Sequence, residues 1–119
     1  MSTGWIAVDL DGTLAHYDKW VGPEHIGTPI PKMVERVKRW LADGKDVRIF
    51  TARAYYDPAD LERKLEAQRA VAAIEAWCVE QFGRALPVTN TKDYGMVEQW
   101  DDRVVQVVKN TGLRADGEN

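Results

Sequence analysis

The chain has 119 residues, enough for one domain with one hydrophobic core. Its residues are 45% hydrophobic and 29% charged, as in ordinary globular proteins, and no apolar run approaches the ~20 residues of a membrane span. The net charge is −3, and acidic and basic residues are mixed along the chain, so the sequence contains no basic stretch that would indicate a nucleic-acid surface. The single cysteine, Cys78, excludes an internal disulfide and favours a reducing, cytoplasmic location, where we expect it to pack in the core. We expect one domain over residues 1–119, without membrane association.

The first half of the chain predicts a strand, a flap, a helix and a second strand. Residues 5–8 are uniformly apolar, which is typical of a strand buried on both faces. Residues 15–31 are rich in glycine and proline and predict a flap leaning over the end of that strand. Apolar residues at helical spacing predict a helix over 31–43, and residues 47–50 predict the second strand.

The second half predicts one long helix and three more strands. Asp57 and Pro58 are typical of a helix N-terminus, and the pattern predicts a helix that extends to Phe82, either unbroken or with a break near Glu66. Strands are predicted at 85–88, at 96–100 and at the valine-rich 103–108, the first of them at an edge because it contains a proline. For 96–100 the alternative is a short helix running into a strand. This order predicts an α/β fold, a Rossmann-like parallel sheet of about five strands flanked on both faces by helices.

Two carboxylates end the first predicted strand, Asp9 and Asp11, followed by Gly12. Residues i and i+2 of a strand point the same way, so both acids face one site at its carboxyl end, where open α/β sheets bind ligands. Carboxylates this close repel unless a cation or proton intervenes, and Mg²⁺ is the hard cation that suits them. The alternative is a plain turn, because Asp and Gly are turn residues.

This segment, with Thr13, resembles the Asp-x-Asp-x-Thr first motif of the haloacid dehalogenase superfamily, most of whose members are Mg²⁺-dependent phosphatases. The resemblance implies that Asp9 is the nucleophile and Asp11 the general acid/base. It also implies that Gly12 gives the backbone room to turn beside the phosphate.

Three later segments resemble the remaining motifs of this superfamily, in the same order. Thr51, followed by Ala52, ends the second predicted strand and is similar to the second motif, while Lys92 is similar to the lone basic residue of the third. Asp101 and Asp102 resemble the acidic pair of the fourth motif, although the polar residues Glu98 and Gln99 precede them in place of an apolar strand. The resemblance implies a phosphate-binding set formed by Asp11, Gly12, Thr51, Ala52 and Lys92. It also implies a metal-binding set formed by Asp9, Asp11, Asp101 and Asp102.

The implied reaction is hydrolysis of a phosphate monoester through an aspartyl-phosphate on Asp9. The spacing between motifs leaves no room for a cap domain, so we expect an open site with an aromatic rim formed by Tyr17, Trp20, Tyr55 and Tyr56. An open site suits a large phosphorylated substrate, such as a phosphoprotein or a nucleic-acid end, or closure by a second copy of the chain.

Three other functions compete with this interpretation. A receiver domain of two-component signalling has similar size and uses a phospho-acceptor aspartate, for which Asp57 is placed by number but not by context. A binding or regulatory protein could keep the fold without turnover, and a phosphotransferase would pass the phosphoryl group to an acceptor other than water.

Overall fold

Four parallel strands form one sheet in the computed structural model, which describes residues 3–118. The strands are β1 (Trp5–Val8), β2 (Val47–Phe50), β3 (Val88–Thr89) and β4 (Met96–Trp100), in the order β3-β2-β1-β4. The predicted α/β class with a parallel sheet is confirmed, with four strands in place of about five. The third strand, predicted at 85–88, forms only at Val88–Thr89, and it lies at an edge as predicted from Pro87 just before it.

Two helices connect the first three strands. Helix α1 (Pro31–Ala42) joins β1 to β2, and helix α2 (Leu61–Phe82) joins β2 to β3 after a short 3₁₀ turn at Ala52–Ala54. With the flap after β1, these elements account for the chain between the strands, so the described residues contain no inserted cap domain. No helix among them has the length and apolar character needed to cross a membrane.

Both helices cover the same face of the sheet. The register places the side chains of Ile6, Val8, Val47 and Ile49 on one face, where they form a single buried cluster. Buried residues of both helices join this cluster: Met33, Val34, Val37, Ile74, Trp77 and Cys78. The prediction of helices on both faces is therefore wrong, because the connection from β3 to β4, residues 90–95, is too short to contain a helix. Burial raises the pKa of the Cys78 thiol to about 11, in keeping with its predicted packing role.

The predicted fifth strand at 103–108 does not form. In the described chain this segment makes a single antiparallel bridge, between Val107 and Arg114, and Val104 and Val105 remain 49% and 54% exposed. Valine favours strands because it packs well on a half-buried sheet, and here no such surface lies against the segment. It folds back on its own C-terminal side instead, where the Val108 amide donates to the Leu113 carbonyl at 2.8 Å.

Helix α2 begins later than predicted. Asp60 is its N-cap, and its carboxylate accepts from the Arg63 amide at 3.0 Å. Asp57 instead accepts from the Ala59 amide at 2.9 Å and shapes the turn before the helix. Of the two alternatives for this helix, the unbroken one is confirmed, since the helix continues to Phe82 without a break near Glu66.

Candidate functional site

A tight loop after β1 presents the first two acids at the carboxyl end of the sheet. The buried Leu10 anchors it, and its carbonyl accepts from the amides of Leu14 and Ala15 at 3.0 and 2.9 Å. Gly12 has a φ of +88°, and a Cβ there would lie 2.6 Å from Oδ2 of Asp102. Glycine is needed at this position both for the left-handed backbone and for the close approach of that carboxylate.

Three carboxylates meet beside this loop. Asp9, Asp101 and Asp102 each offer an oxygen, and these oxygens lie within 4.8 Å of one another. The cluster forms because β4 is the sheet neighbour of β1, and the Asp9 amide donates to the Trp100 carbonyl at 2.9 Å. The Thr13 hydroxyl lies 3.3 Å from Asp9 and 3.5 Å from Asp102, so it bridges the two acids. Hard oxygen donors in this arrangement suit a divalent cation such as Mg²⁺.

The crowding of negative charge changes the proton affinity of Asp9. Burial, the charge of Asp101 and a hydrogen bond shared with Asp102 raise the pKa of Asp9 to about 7, against the smaller opposing effect of Thr13. A bound cation would offset this repulsion and restore the carboxylate.

Asp11 lies apart from this cluster, because an arginine occupies both its oxygens. Arg53 donates from Nε to Oδ2 at 2.8 Å and from Nη2 to Oδ1 at 2.9 Å, a bidentate pair. The two side chains are 5% and 21% exposed, respectively, so the pair is largely shielded from water. Of the predicted metal set, the structure thus brings together the carboxylates of Asp9, Asp101 and Asp102 but not that of Asp11.

Arg53 also fastens the flap. Its Nη1 donates to the carbonyls of His25 and Pro23 at 2.7 and 3.2 Å, and its guanidinium lies 4.9 Å from the centre of the Trp20 ring. Sequence reasoning missed this residue. The available signal was an arginine directly after a strand end that faces predicted acids, where a charged residue close to the core needs a partner.

Thr51 ends β2 on the same edge of the sheet as Asp9 and is 4% exposed. Its hydroxyl oxygen accepts from the Arg53 amide at 3.1 Å, and its own amide donates to the Thr89 carbonyl at 2.9 Å. The hydroxyl is therefore fixed in position while its proton can be offered to a ligand oxygen.

The flap is a small hairpin. Ala15 bridges Pro29, and the His16 amide donates to the Thr28 carbonyl at 2.8 Å. Gly27 is required for this pairing, because a Cβ there would meet the His16 carbonyl oxygen at 1.9 Å. The flap lies over the site as the sequence predicted.

A cavity of about 780 Å³ lies between the flap and the strand ends. Its lining includes the acids, the strand-end residues and part of the aromatic rim: Asp9, Asp11, Asp101, Asp102, Thr51, Ala52, Arg53, Tyr17, Trp20 and Tyr55. Tyr56, expected at this rim, is not among the lining residues.

Lys92 is placed differently from the other predicted residues. It is exposed, and it does not line the cavity, although Asn90 just before it does. The loop then leaves the site, because Asp93 accepts from the Trp5 indole at 2.8 Å near the start of β1. Lys92 therefore lies between the cavity and the opposite end of the sheet.

The fold has a counterpart among solved structures. A conserved protein from Bacteroides thetaiotaomicron superposes with a TM-score of 0.56 at 23% identity, covering 87% of this chain and 79% of that one. At this identity the likeness extends to the fold alone. No protein-family model and no curated protein matches the chain.

Proposed function

We propose that this chain is a cytoplasmic, Mg²⁺-dependent phosphomonoester phosphatase of the haloacid dehalogenase type, with Asp9 as nucleophile. The observation that carries the proposal is the carboxylate cluster of Asp9, Asp101 and Asp102 at the carboxyl end of a parallel sheet, next to a fixed hydroxyl on Thr51. Open α/β sheets bind ligands at this edge. The motif order along the chain gives the proposal its specific chemistry.

The residues present fit the metal that this function requires. The three clustered carboxylates would hold Mg²⁺, joined by the backbone carbonyl of Asp11. Burial and then the neighbouring acids raise the pKa of Asp9 when no cation offsets their charge. When bound, the ion neutralises negative charge on the carboxylates and on the substrate phosphate.

The reaction proceeds in two displacements at phosphorus. An Asp9 oxygen attacks, the P–O bond to the leaving group breaks, and Asp11 gives that oxygen its proton. Water then attacks the aspartyl-phosphate, Asp11 takes a proton from it, and phosphate leaves with Asp9 restored. The Thr51 hydroxyl and the amide of Ala52 hold the transferring group, and Gly12 lets the backbone approach it.

The Arg53 pair gives this mechanism an extra step. Both oxygens of Asp11 accept from Arg53, so Asp11 must release at least one of these bonds before it serves a leaving group. Arg53 is also bonded to the flap, so flap movement and release of Asp11 are coupled in the proposal. Lys92 neutralises the transferring phosphate only if the loop 90–95 turns toward the cavity.

The Asp11–Arg53 pair also favours one competing function, that of a phosphate-binding or metal-binding protein without turnover. If Asp11 never leaves Arg53, the site lacks a general acid/base, and an aspartyl-phosphate forms slowly or not at all.

Steady-state turnover of an aryl phosphate with Mg²⁺ separates the two functions. We expect Asp9→Asn to abolish turnover while the protein remains folded, because the amide has nearly the same shape but is a poor nucleophile. Asp57→Asn is the matched control: it makes the same chemical change at an exposed turn outside the cavity, and it should leave turnover unchanged.

Four results would contradict the proposal. Wild-type protein without turnover of any phosphate ester supports the binding function, and full activity in Asp9→Asn excludes the covalent mechanism. A phosphoryl group found on Asp57 by mass spectrometry after rapid quenching supports a receiver-like protein. Transfer of phosphate to an alcohol in the product mixture identifies a phosphotransferase.

A further inference from the structure

We propose that the substrate is a nucleoside monophosphate whose base stacks on Trp20 at the rim of the cavity. This inference rests on the proposed phosphatase function and names its substrate class. The aromatic residues that line the cavity take no part in the proposed reaction, so they are available to bind the rest of the substrate.

Three aromatic side chains line the cavity while remaining open to solvent. Tyr17, Trp20 and Tyr55 are 42%, 48% and 59% exposed. Tyr17 and Trp20 come from the flap, and Tyr55 follows the 3₁₀ turn after β2, so two separate segments contribute to the rim. Exposed aromatic faces beside a polar site provide stacking surfaces for a planar ligand group.

Arg53 covers one face of Trp20, since its guanidinium carbon lies over the ring at 4.9 Å from the ring centre. About half of the residue is exposed, and we infer that the opposite face, called the outer face below, is open to a ligand. Arg53 is itself bonded to Asp11 and to the flap carbonyls, so the indole packs on a guanidinium that is held in place in this structure.

The position of this ring relative to Arg53 favours one kind of ligand. Trp20 and Asp11 both contact Arg53, whose guanidinium carbon lies 4.9 Å from the ring centre and whose Nε donates to the carboxylate at 2.8 Å. A ligand ring on the outer face would have the indole between itself and Arg53, so a spacer must join that ring to the phosphate that Asp11 serves. A nucleotide meets this condition, because its pentose separates base from phosphate, whereas phosphotyrosine or another aryl ester does not.

Cavity size and charge favour a free nucleotide over a nucleic-acid end. About 780 Å³ is in the range of small-molecule sites and exceeds the needs of a bare phosphate. Asn90 and Arg103 line the same cavity and offer hydrogen bonds to a base or sugar. The chain carries a net charge of −3, so it lacks the overall positive charge that attracts a polyanion.

The test compares two ligands that differ only in the base, adenosine 5′-monophosphate and ribose 5-phosphate. Binding is measured by calorimetry in chelator on the Asp9→Asn protein, in which neither ligand is turned over, and kcat/KM is measured with Mg²⁺ on the wild-type protein. We expect the nucleotide to bind and react about tenfold better or more, the effect of one stacked base. Trp20→Ala should remove this preference and Trp20→Phe should retain most of it. Tyr94→Ala, a fully exposed aromatic at the other end of the sheet, should not change it.

The outcomes separate this inference from the proposed function. Turnover of both esters without preference for the nucleotide overturns the inference and leaves the phosphatase function standing. A Trp20-dependent preference in binding without any turnover supports the nucleotide site and contradicts the phosphatase. If Trp20→Ala and Trp20→Phe weaken the binding of both ligands equally, Trp20 has a merely structural role, and this result would overturn the inference. A 5′-phosphorylated oligonucleotide that outcompetes the mononucleotide would assign the site to nucleic-acid ends.

Discussion

At the scale of single residues, Asp9 is the carboxylate whose ionisation the site makes unfavourable. Burial and two neighbouring acids raise its pKa to about 7, so the folded protein holds this proton up to neutral pH, whereas the unfolded chain loses it near 3.8. Without metal, the contribution of Asp9 to stability is complete below pH 4 and is lost as the pH rises through 7.

Asp9→Asn should therefore gain stability relative to wild type as the pH increases. In chelator, the stability of Asp9→Asn relative to wild type should rise between pH 4 and pH 8 by at most about 4 kcal/mol of unfolding free energy. The measured change should be smaller than this limit, because Asp9 is partly exposed to solvent. Urea unfolding at the two pH values measures it. An identical pH dependence in both proteins would show that Asp9 has an ordinary pKa.

Arg53 is the other decisive residue, because it ties Asp11 to the flap. Arg53→Ala leaves a half-buried carboxylate unpaired and should lower the free energy of unfolding by about 3 kcal/mol. Arg39→Ala, which breaks an exposed pair with Glu35, should change it by less than about 0.5 kcal/mol. A double-mutant cycle with Asp11→Asn should give a coupling energy above about 1 kcal/mol. Additive effects would mean that the two side chains do not interact in solution.

At the scale of elements, the start of α2 shows how two similar aspartates divide their roles. Asp60 caps the helix, while Asp57 supports only the turn before it. We expect Asp60→Ala to cost about 1 kcal/mol of stability and to increase hydrogen exchange at the Arg63 amide. Asp57→Ala should cost less and leave that amide protected. The reverse order would restore Asp57 as the N-cap that the sequence predicted.

The flap is an element whose form depends on one close backbone approach. Gly27 passes so near the His16 carbonyl that no side chain fits between them. Arg53 then bonds the flap carbonyls from the 3₁₀ turn after β2, so two segments distant in sequence become one wall of the cavity. Movement of this wall is what the proposed mechanism needs for Asp11 to be released.

At the scale of the whole molecule, metal binding should act as a stabiliser of the fold. The acids come from β1 and from the end of β4, so a cation bound between them adds a link between neighbouring strands. We expect Mg²⁺ at a hundredfold excess over its Kd to add about 2.7 kcal/mol to the free energy of unfolding, seen as a higher Tm.

The matched variants for this experiment are Asp102→Asn and Asp57→Asn. The first removes a carboxylate from the cluster and should abolish most of the Tm increase, whereas the second should keep it. A Tm that does not respond to millimolar Mg²⁺, together with no heat of binding, would contradict the metal site.

Local patterns in the sequence determined much of this protein. The uniform apolar run of β1 and the helical spacing of α1 were predicted correctly, because each depends on side chains close in the chain. The parallel direction of the strands was predicted correctly from the alternation of strands and helices. The same is true of the two acids at the end of β1 and of Thr51 at the end of β2. Once the strands are parallel, their carboxyl ends meet at one edge, which is why the predicted acids and Thr51 lie on the same side of the sheet.

The tertiary structure alone decided which partners these residues have. Asp11 was expected with the metal ligands, yet it pairs with Arg53, which lies 42 positions further along the chain. Residues 103–108 have the composition of a strand but no sheet surface to pack on, and the short connection 90–95 left both helices on one face. Periodicity reports what a segment prefers, whereas ion pairs, sheet edges and helix faces depend on groups that only folding brings together.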